Sequence, residues 1–378
     1  MLHFPERRKT DSVKWDLFEE DVLPLWVADM DFTSPPAVIE ALQQRAAHGV
    51  FGYSLDSIAL KKLLVERMAD LYHWQITEED ILLLPGVVSG FNLSCQAVVQ
   101  PGDSLLIQPP VYPPFFSAAA NAQARSVFHH LLPSPDGTYQ VDIETFKAAI
   151  EPDTRGFLLC NPHNPIGRVF TRDELLSMAQ TCLHKGVTII SDEIHCDLIF
   201  KGYKHIPIAS LNKEIEANTI TLLAPSKTFN IAGLDCSIMI CTNETLRSRV
   251  RAAKRGLMGG VNLLGMTAAL AAYRDGSQWL AEVMTYLEAN CDFLMGYLKQ
   301  YLPQIHMVKP EATYLAWLDC NLLQLGVSPS EYFHKKARVA LNNGKDFGES
   351  GAGYVRMNFG CSRETLELAL ERIKRSLQ

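Results

Sequence analysis

The chain has 378 residues, of which 47% are hydrophobic and 20% are charged, and its net charge is -7. This composition is ordinary for a globular enzyme with one large and one smaller domain. Charges of both signs are scattered, which excludes a basic face for nucleic acid or for an anionic membrane. No apolar run is long enough to span a bilayer, and the start lacks the apolar core of a signal peptide, so we expect a cytoplasmic protein.

The nine cysteines are dispersed, mostly inside apolar runs, and no two of them form a C-x-x-C pair. This pattern is typical of reduced core residues and indicates neither a disulfide framework nor a zinc site. We therefore expect no bound metal.

The first segment, up to about Pro36, is predicted to be an extended arm. It carries the motif W-V-A-D-M-D-F at 26–32, followed by two prolines that disfavour a helix. A helix is expected to begin near Pro36, and another is expected at 58–72. The loop between them, at 49–56, is bracketed by glycines and displays Tyr53, although an aromatic residue in such a loop most often serves packing.

From residue 81 onward, short apolar strands alternate with helices, and each strand is followed by a polar or glycine-bearing loop. The predicted strand ends lie at Gly86, Tyr112, Asn164, Asp192 and Lys227. Apolar strands that alternate with helices predict a buried, mostly parallel sheet with ligand chemistry at the carboxyl ends of its strands.

The chain changes character after a long helical stretch that ends near residue 301. Two strands and two helices are predicted beyond it, at 312–318, 354–358, 328–336 and 363–377. We therefore predict an α/β protein in which residues 46–275 form a large domain with a mostly parallel central sheet flanked by helices. Residues 1–45 would supply the arm and part of a smaller α+β domain, which residues 276–378 would complete.

Lys227 follows the apolar strand at 220–224. A lysine ammonium at the exit of a buried strand loses hydration, which lowers its pKa and makes a neutral amine available for a Schiff base with an aldehyde. A single lysine at a strand end more commonly reaches out to solvent. Likewise, Arg356 in the strand at 354–358 is as often an exposed sheet residue as a buried one.

The other strand ends offer complementary groups. A strand, a glycine turn and a helix would present the backbone N–H groups of Gly86, Val87 and Val88 to an anion. Four prolines would fix the ring of Tyr112, and Asn164 would offer a side-chain amide. Together with a carboxylate, a lysine and an arginine, these groups suit pyridoxal 5'-phosphate (PLP) that acts on an amino acid.

The ordered set of motifs resembles the fold-type I PLP-dependent enzymes of the aminotransferase superfamily, and within them the MalY/PatB-type cystathionine β-lyases, or cysteine C–S lyases. The resemblance covers nearly the whole chain. Its motifs are L-P-L-W-V-A-D-M-D-F, F-G-Y, N-P-H-N-P-I-G, S-D-E-I-H, S-K-T-F-N-I-A-G-L and Y-V-R-M-N-F-G.

The resemblance implies roles for particular residues. Lys227 would form the Schiff base and move the Cα proton, Asp192 would pair with the pyridine nitrogen, and Tyr112 would stack on the ring. The complete implied cofactor set is Lys227, Asp192, Asn164, Tyr112, His195, Gly86, Val87, Val88, Ser226 and Tyr53. Arg356 would bind the substrate carboxylate with help from the backbone near Ala28, and Tyr53 would reach the site of the neighbouring subunit in a homodimer.

Two positions depart from the aminotransferase pattern, which often has a serine three residues before the lysine and an arginine eight residues after it. Here these positions hold Ala224 and Asp235. An aspartate would repel a phosphate, so we expect Asp235 to point elsewhere. The departures favour a lyase that cleaves L-cystathionine or related cysteine thioethers to a thiol, pyruvate and ammonia. The alternatives are an aminotransferase and a catalytically silent regulatory protein on the same fold.

Overall fold

The computed structural model describes residues 2–378. Its α-helices are α1 (Val13–Asp16), α2 (Pro36–Ala47), α3 (Ile58–Tyr72), α4 (Val87–Val98), α5 (Pro114–Asn121), α6 (Ile143–Ala149), α7 (Arg172–Lys185), α8 (Lys213–Ala217), α9 (Pro225–Thr228), α10 (Glu244–Lys254), α11 (Leu263–Asp275), α12 (Ser277–Tyr301), α13 (Pro329–Tyr332) and α14 (Arg363–Ser376). Its strands are β1 (Leu23–Pro24), β2 (Ile81–Leu84), β3 (Ser104–Ile107), β4 (Arg125–Phe128), β5 (Leu132–Pro133), β6 (Tyr139–Gln140), β7 (Thr154–Cys160), β8 (Thr188–Asp192), β9 (Thr219–Leu223), β10 (Ser237–Ile240), β11 (His306–Met307), β12 (Leu315–Asp319), β13 (Val339–Ala340), β14 (Asn342–Asn343) and β15 (Tyr354–Asn358).

A seven-stranded sheet in the order β2-β10-β9-β8-β7-β3-β4 forms the centre of the molecule. β10 runs antiparallel to both of its neighbours, and the other adjacent strands are parallel. Because β2 and β9 both oppose β10, β2 points in the same direction as the parallel strands. The five strand ends that were predicted to carry function therefore open at one edge of the sheet, as expected for a buried, mostly parallel sheet.

A second sheet is antiparallel and has the strand order β11-β12-β15-β14. The N-terminal arm joins this part of the protein, because β1 pairs in parallel with β13. Arm residues such as Leu25 and Met30 share one hydrophobic core with residues of α12, β15 and α14. The predicted domain boundaries after residues 45 and 275 remain a prediction.

Three predicted elements differ from the structure, and several short helices were not predicted, among them α5, α6 and α8. The arm, predicted to be extended, contains the helix α1, because the hydroxyl of Ser12 accepts from the N–H of Trp15 at its start. The strand predicted at 312–318 begins only at Leu315, because Thr313 has φ 74°, which a strand cannot accommodate. The helix predicted at 328–336 is α13 followed by a π-helical turn, Phe333–Ala337. The proline-rich segment around residue 112, expected to be a stiff loop, leads directly into α5, where Pro114 occupies the first helical position.

All nine cysteines are buried and none forms a disulfide. Within residues 2–378, no cluster of three or more His, Cys, Asp or Glu side chains could hold a metal ion. Over the same residues, no helix combines the length and the apolar character that crossing a membrane requires.

Candidate active site

A cavity of about 460 Å³ lies at the carboxyl ends of the strands of the large sheet and extends to β15 of the small sheet. The predicted residues that line it are Ala28, Gly86, Val87, Val88, Tyr112, Asn164, Asp192, His195, Ser226, Lys227 and Arg356. Tyr53 does not line it, since its side chain is fully exposed on the loop between α2 and α3. The structure thus brings together every predicted site residue except Tyr53, while their roles stay predictions.

A larger cavity of about 830 Å³ lies between the β5–β6 hairpin and the small sheet. Its two strongly basic side chains are already engaged. Arg168 pairs with Glu174 at 2.9 Å, and Lys309 pairs with Asp292 at 2.6 Å. The cations of the larger cavity are therefore neutralised, and the predicted site residues lie outside it. The smaller cavity is the better candidate for an active site.

Lys227 lies in α9, immediately after β9, and its Nζ donates a hydrogen bond to the backbone oxygen of Ala28 at 2.8 Å. Burial lowers the pKa of Lys227 to about 8, and the Arg356 guanidinium acts in the same direction. The carboxylates of Asp29 and Asp192 partly oppose this shift. A lysine with this pKa has a substantial neutral fraction just above neutral pH, which is the form that attacks an aldehyde or removes a proton.

Asp192 is the last residue of β8 and only 4% exposed. Burial raises the pKa of its carboxyl group to about 7, although the N–H of Ile194 donates to Oδ1 at 3.1 Å. Asp192 forms no ion pair with any residue of the described chain, 2–378. A buried carboxyl group in this state is suited to a ligand that brings a positive charge or an N–H donor.

His195 lies three residues beyond Asp192 and is 2% exposed. Burial, together with the positive charges of Lys227 and Arg356, lowers the pKa of the imidazole to about 3, and burial is the largest cause. Its Nδ1 is buried and has no hydrogen-bond partner among residues 2–378. The ring is therefore neutral and keeps one polar atom available for a ligand.

Arg356 lies in the middle of β15 and is 4% exposed, so it is not an exposed sheet arginine. Its Nη1 donates to Oδ1 of Asn164 at 3.0 Å, and its Nη2 donates to the oxygen of Trp26 at 3.0 Å and to Oδ1 of Asn342 at 2.7 Å. Its Nε is buried without a partner, and burial lowers its pKa to about 10. No carboxylate of residues 2–378 pairs with this guanidinium, which therefore fits the carboxylate of a ligand.

The start of α4 forms a further wall of the cavity. Gly86 has φ 93°, which favours glycine, and a Cβ added there would face open space. Its own N–H donates to the oxygen of Leu84 at 3.0 Å. The donors left for an anion are thus the first-turn N–H groups of Val87, Val88 and Ser89, since the first helical N–H groups have no intrahelical partner.

The remaining candidates lie around these groups. Tyr112 is half-buried, and burial raises the pKa of its hydroxyl group. Asn164 is 5% exposed, with its side-chain oxygen engaged by the arginine of β15. Ser226 lines the cavity beside the lysine. Asp235 is exposed and contributes to the same cavity wall, and the expectation that its carboxylate points away from a bound phosphate stays a prediction.

The profile of the family described as Aminotransferase class I and II matches residues 20–373. The chain belongs to this family. Among curated relatives of this aminotransferase class I and II member, Cystathionine beta-lyase PatB of Bacillus subtilis (strain 168) is 42% identical over 382 residues, which cover 98% of each chain.

Two solved structures are similar to this family member over nearly their whole length. The PLP-bound C–S lyase from Staphylococcus hominis is 31% identical with a TM-score of 0.93 and covers 99% of this chain and 98% of its own. A PLP-bound protein from Clostridium difficile 630, provisionally described as an aminotransferase, is 38% identical with a TM-score of 0.96. The match covers 100% of this chain and 99% of the C. difficile chain. The predicted family and the predicted fold-type I PLP-dependent fold are confirmed.

Sequence reasoning missed residues that shape the site of this family member. Trp26 and Asn342 both accept hydrogen bonds from Arg356, and Cys160 lines the cavity. Trp26 lies in a motif that was recognised, but its contribution is a backbone oxygen, which no side-chain pattern reveals. Asn342 is 14 residues from Arg356 and belongs to a neighbouring strand, so only the register of the small sheet brings the two together.

Proposed function

We propose that the protein is a PLP-dependent C–S β-lyase that cleaves L-cystathionine or related cysteine thioethers to a thiol, pyruvate and ammonia. One observation carries the proposal: the amine of Lys227, the carboxyl group of Asp192 and the guanidinium of Arg356 line one cavity, and Arg356 lacks a carboxylate partner in residues 2–378. The names of the B. subtilis and S. hominis relatives favour elimination of a thiol over transfer of an amino group.

The residues present fit PLP. The free N–H groups at the start of α4, with the hydroxyl of Ser226, suit the phosphate. The carboxyl group of Asp192 suits the pyridine nitrogen, and Lys227 suits the aldehyde. Asn164, Tyr112 and His195 would surround the ring. Once bound, the cofactor supplies an electron-withdrawing ring that stabilises negative charge at the substrate Cα.

The protein's own groups would then do the remaining work. Arg356 would hold the substrate carboxylate through its free Nε edge, beside the backbone at Ala28. Lys227, with its lowered pKa, would remove the Cα proton as a neutral amine. Asp192 would hold a proton on the ring nitrogen. The Cβ–S bond then breaks with its electron pair going to sulfur, the thiolate takes up a proton, and water converts the remaining three-carbon unit to pyruvate and ammonia.

We also propose that two copies of the chain form a homodimer in which Tyr53 of one copy reaches the cavity of the other. The support is the loop at 49–57, which exposes Tyr53 together with the apolar side chains of Val50, Phe51 and Leu55. An exposed apolar cluster of this kind usually marks a surface that another protein covers. A cytoplasmic location is supported by nine buried cysteines that form no disulfide.

The test is to incubate the holoenzyme with L-cystathionine in the presence and absence of 2-oxoglutarate and to measure homocysteine, pyruvate and glutamate. A lyase releases thiol and pyruvate without an oxo-acid, and Lys227→Ala, the control, releases neither. With aspartate and 2-oxoglutarate, the same preparation should form little glutamate. Pyruvate that appears only with the oxo-acid, or glutamate that outpaces thiol, would establish the aminotransferase alternative that the description of the C. difficile protein favours.

A further inference from the structure

Residues 26–32, here called the strap, pass between the loop that follows Lys227 and the strand β15. The strap has no regular secondary structure, yet side chains from distant parts of the chain bond its backbone oxygens. The donors are Arg356 to Trp26, Asn358 to Val27 and Asp29, Tyr314 and Lys227 to Ala28, Asn230 to Met30 and Phe32, Lys14 to Asp29, and Arg7 to Met30. Side chains thus hold most of the strap's backbone oxygens, and the N–H of Asp31 adds a backbone bond to the oxygen of Gly360 at 2.9 Å.

One end of the strap is fixed to the small sheet. Arg356 and Asn358 are two residues apart on β15 and therefore point to the same face of the strand. The Nδ2 of Asn358 donates to the oxygens of Val27 and Asp29, both at 2.6 Å. The position of the strap relative to Arg356 is consequently set by two neighbouring side chains.

The other end of the strap is fixed by the side chain of Asn230 to the loop at 229–231, here called the lysine loop, which follows α9. Lys227 itself adds a bond to the oxygen of Ala28, nearer the middle of the strap. Its Oδ1 accepts from the N–H of Met30 at 2.9 Å, and its Nδ2 donates to the oxygens of Met30 at 2.9 Å and of Phe32 at 2.8 Å. Met30 and Phe32 are 0% and 2% exposed. Without the carboxamide, the N–H of Met30 and the oxygen of Phe32 would lose these partners inside the protein, which is costly, whereas the oxygen of Met30 would keep the bond from Arg7.

We propose that Asn230 is a positioning residue for the reaction, and this inference rests on the proposed function. Lys227 lies in α9, directly after strand β9 of the large sheet, whereas Arg356 lies on strand β15 of the small sheet. A substrate held by its carboxylate at Arg356 must present its Cα to Lys227, so the separation of these two groups decides proton removal. Asn230, three residues beyond the lysine, ties the lysine loop to the strap and thereby to the arginine strand.

Asn230→Gly isolates the role of the carboxamide. Asn230 has φ 56°, a left-handed conformation that glycine adopts without strain, so the substitution removes the three side-chain bonds and spares the backbone. Gln123→Gly is the matched control, because Gln123 has the same φ of 56° and is exposed, far from the strap in the chain. Asn230→Asp is a second variant, which keeps the acceptor for the N–H of Met30 and removes both donated bonds.

The holoenzymes are compared by amide hydrogen exchange and by kinetics with L-cystathionine. We expect amides at 26–32 to exchange about tenfold or more faster in Asn230→Gly, while β9 exchanges as in the wild type. The cofactor absorbance should persist. The value of kcat/KM should fall by about tenfold to a hundredfold, with a larger isotope effect for substrate deuterated at Cα, because misplacement slows proton removal. A protein that is merely less stable would lose active fraction without a change in the isotope effect.

Exchange at 26–32 like that of Gln123→Gly in both Asn230 variants would overturn the inference. So would an isotope effect that stays at the wild-type value while turnover falls. If the wild-type protein releases no thiol from cystathionine, the proposed function fails, whereas the exchange measurement still decides whether Asn230 holds the strap.

Discussion

Replacing Lys227 by methionine should stabilise the cofactor-free protein at neutral pH while abolishing its reaction. Methionine fills a similar volume without a charge. The lysine's pKa falls from 10.5 to about 8 on folding, chiefly through burial. At about 1.4 kcal/mol per unit, the folded state disfavours the ammonium by about 3 kcal/mol. Part of Lys227 remains open to the cavity, and its bond to the oxygen of Ala28 is lost, so we expect a net gain of about 1 to 2 kcal/mol.

The pH dependence separates this explanation from a general packing effect. Because the folded-state pKa of Lys227 lies below the unfolded value, the cost is fully present below pH 8. It is relieved as the pH rises from about 8 to 10.5, where the unfolded chain also loses the proton. The stability advantage of Lys227→Met should therefore be largest near pH 7 and shrink toward pH 10.

The measurement is guanidinium denaturation of the cofactor-free proteins at pH 7 and pH 9.5, followed by tryptophan fluorescence. Lys201→Met is the control, because Lys201 is exposed and its loss should change the stability little at either pH. If Lys227→Met is less stable than the wild type at pH 7, or if its advantage does not depend on pH, the ammonium is not destabilised by burial and the reasoning is refuted.

Three further outcomes are expected. Asp192→Ala should lower kcat by about a hundredfold or more in steady-state assays, since a charge contact in a water-excluded site contributes about 3 kcal/mol. A loss below tenfold would show that Asp192 does not contact the cofactor ring. Arg356→Lys should reduce kcat/KM by about tenfold to a hundredfold, mainly by raising KM, because an ammonium cannot form the two parallel hydrogen bonds of a planar guanidinium. An unchanged KM would show that Arg356 does not bind the substrate carboxylate. If Tyr53→Phe and Lys227→Ala are each severely impaired, mixing them should restore activity through hybrid dimers that hold one intact site. No recovery after verified subunit exchange would contradict a shared site.

Elements with local signals were predictable from the sequence. Helix α3 has the predicted ends because the hydroxyl of Ser57 accepts from the N–H of Leu60 at its start, and His73 ends it in a left-handed conformation. The capping box of Thr171 and Glu174 is likewise present at the start of α7. Apolar runs also predicted the central strands, because all residues of β2, β3 and β9 are buried.

Contacts between distant segments could not be predicted in the same way. Asn230 and Met30 are 200 residues apart, and the carboxamide is one of many in the chain. Nor does the sequence reveal that Arg356 is buried, because alternation along β15 fixes which face it occupies but not what covers that face. The ordered motifs identified the cavity residues only because the family resemblance supplied the distant pairing that local physical chemistry cannot.

The charges of the cavity explain why these residues belong together. Lys227, Arg356, His195 and Asp192 all have pKa values shifted toward their neutral forms, to about 8, 10, 3 and 7, and burial is the leading cause in each case. Burial thus makes the charged form of each group costly, and the two cations also repel each other, although the charges of Lys227 and Asp192 partly offset this cost for one another. A ligand with a carboxylate, a phosphate and a protonated ring nitrogen would satisfy these groups together. Binding of cofactor and substrate would therefore offset the free energy that the folded protein loses by burying these groups.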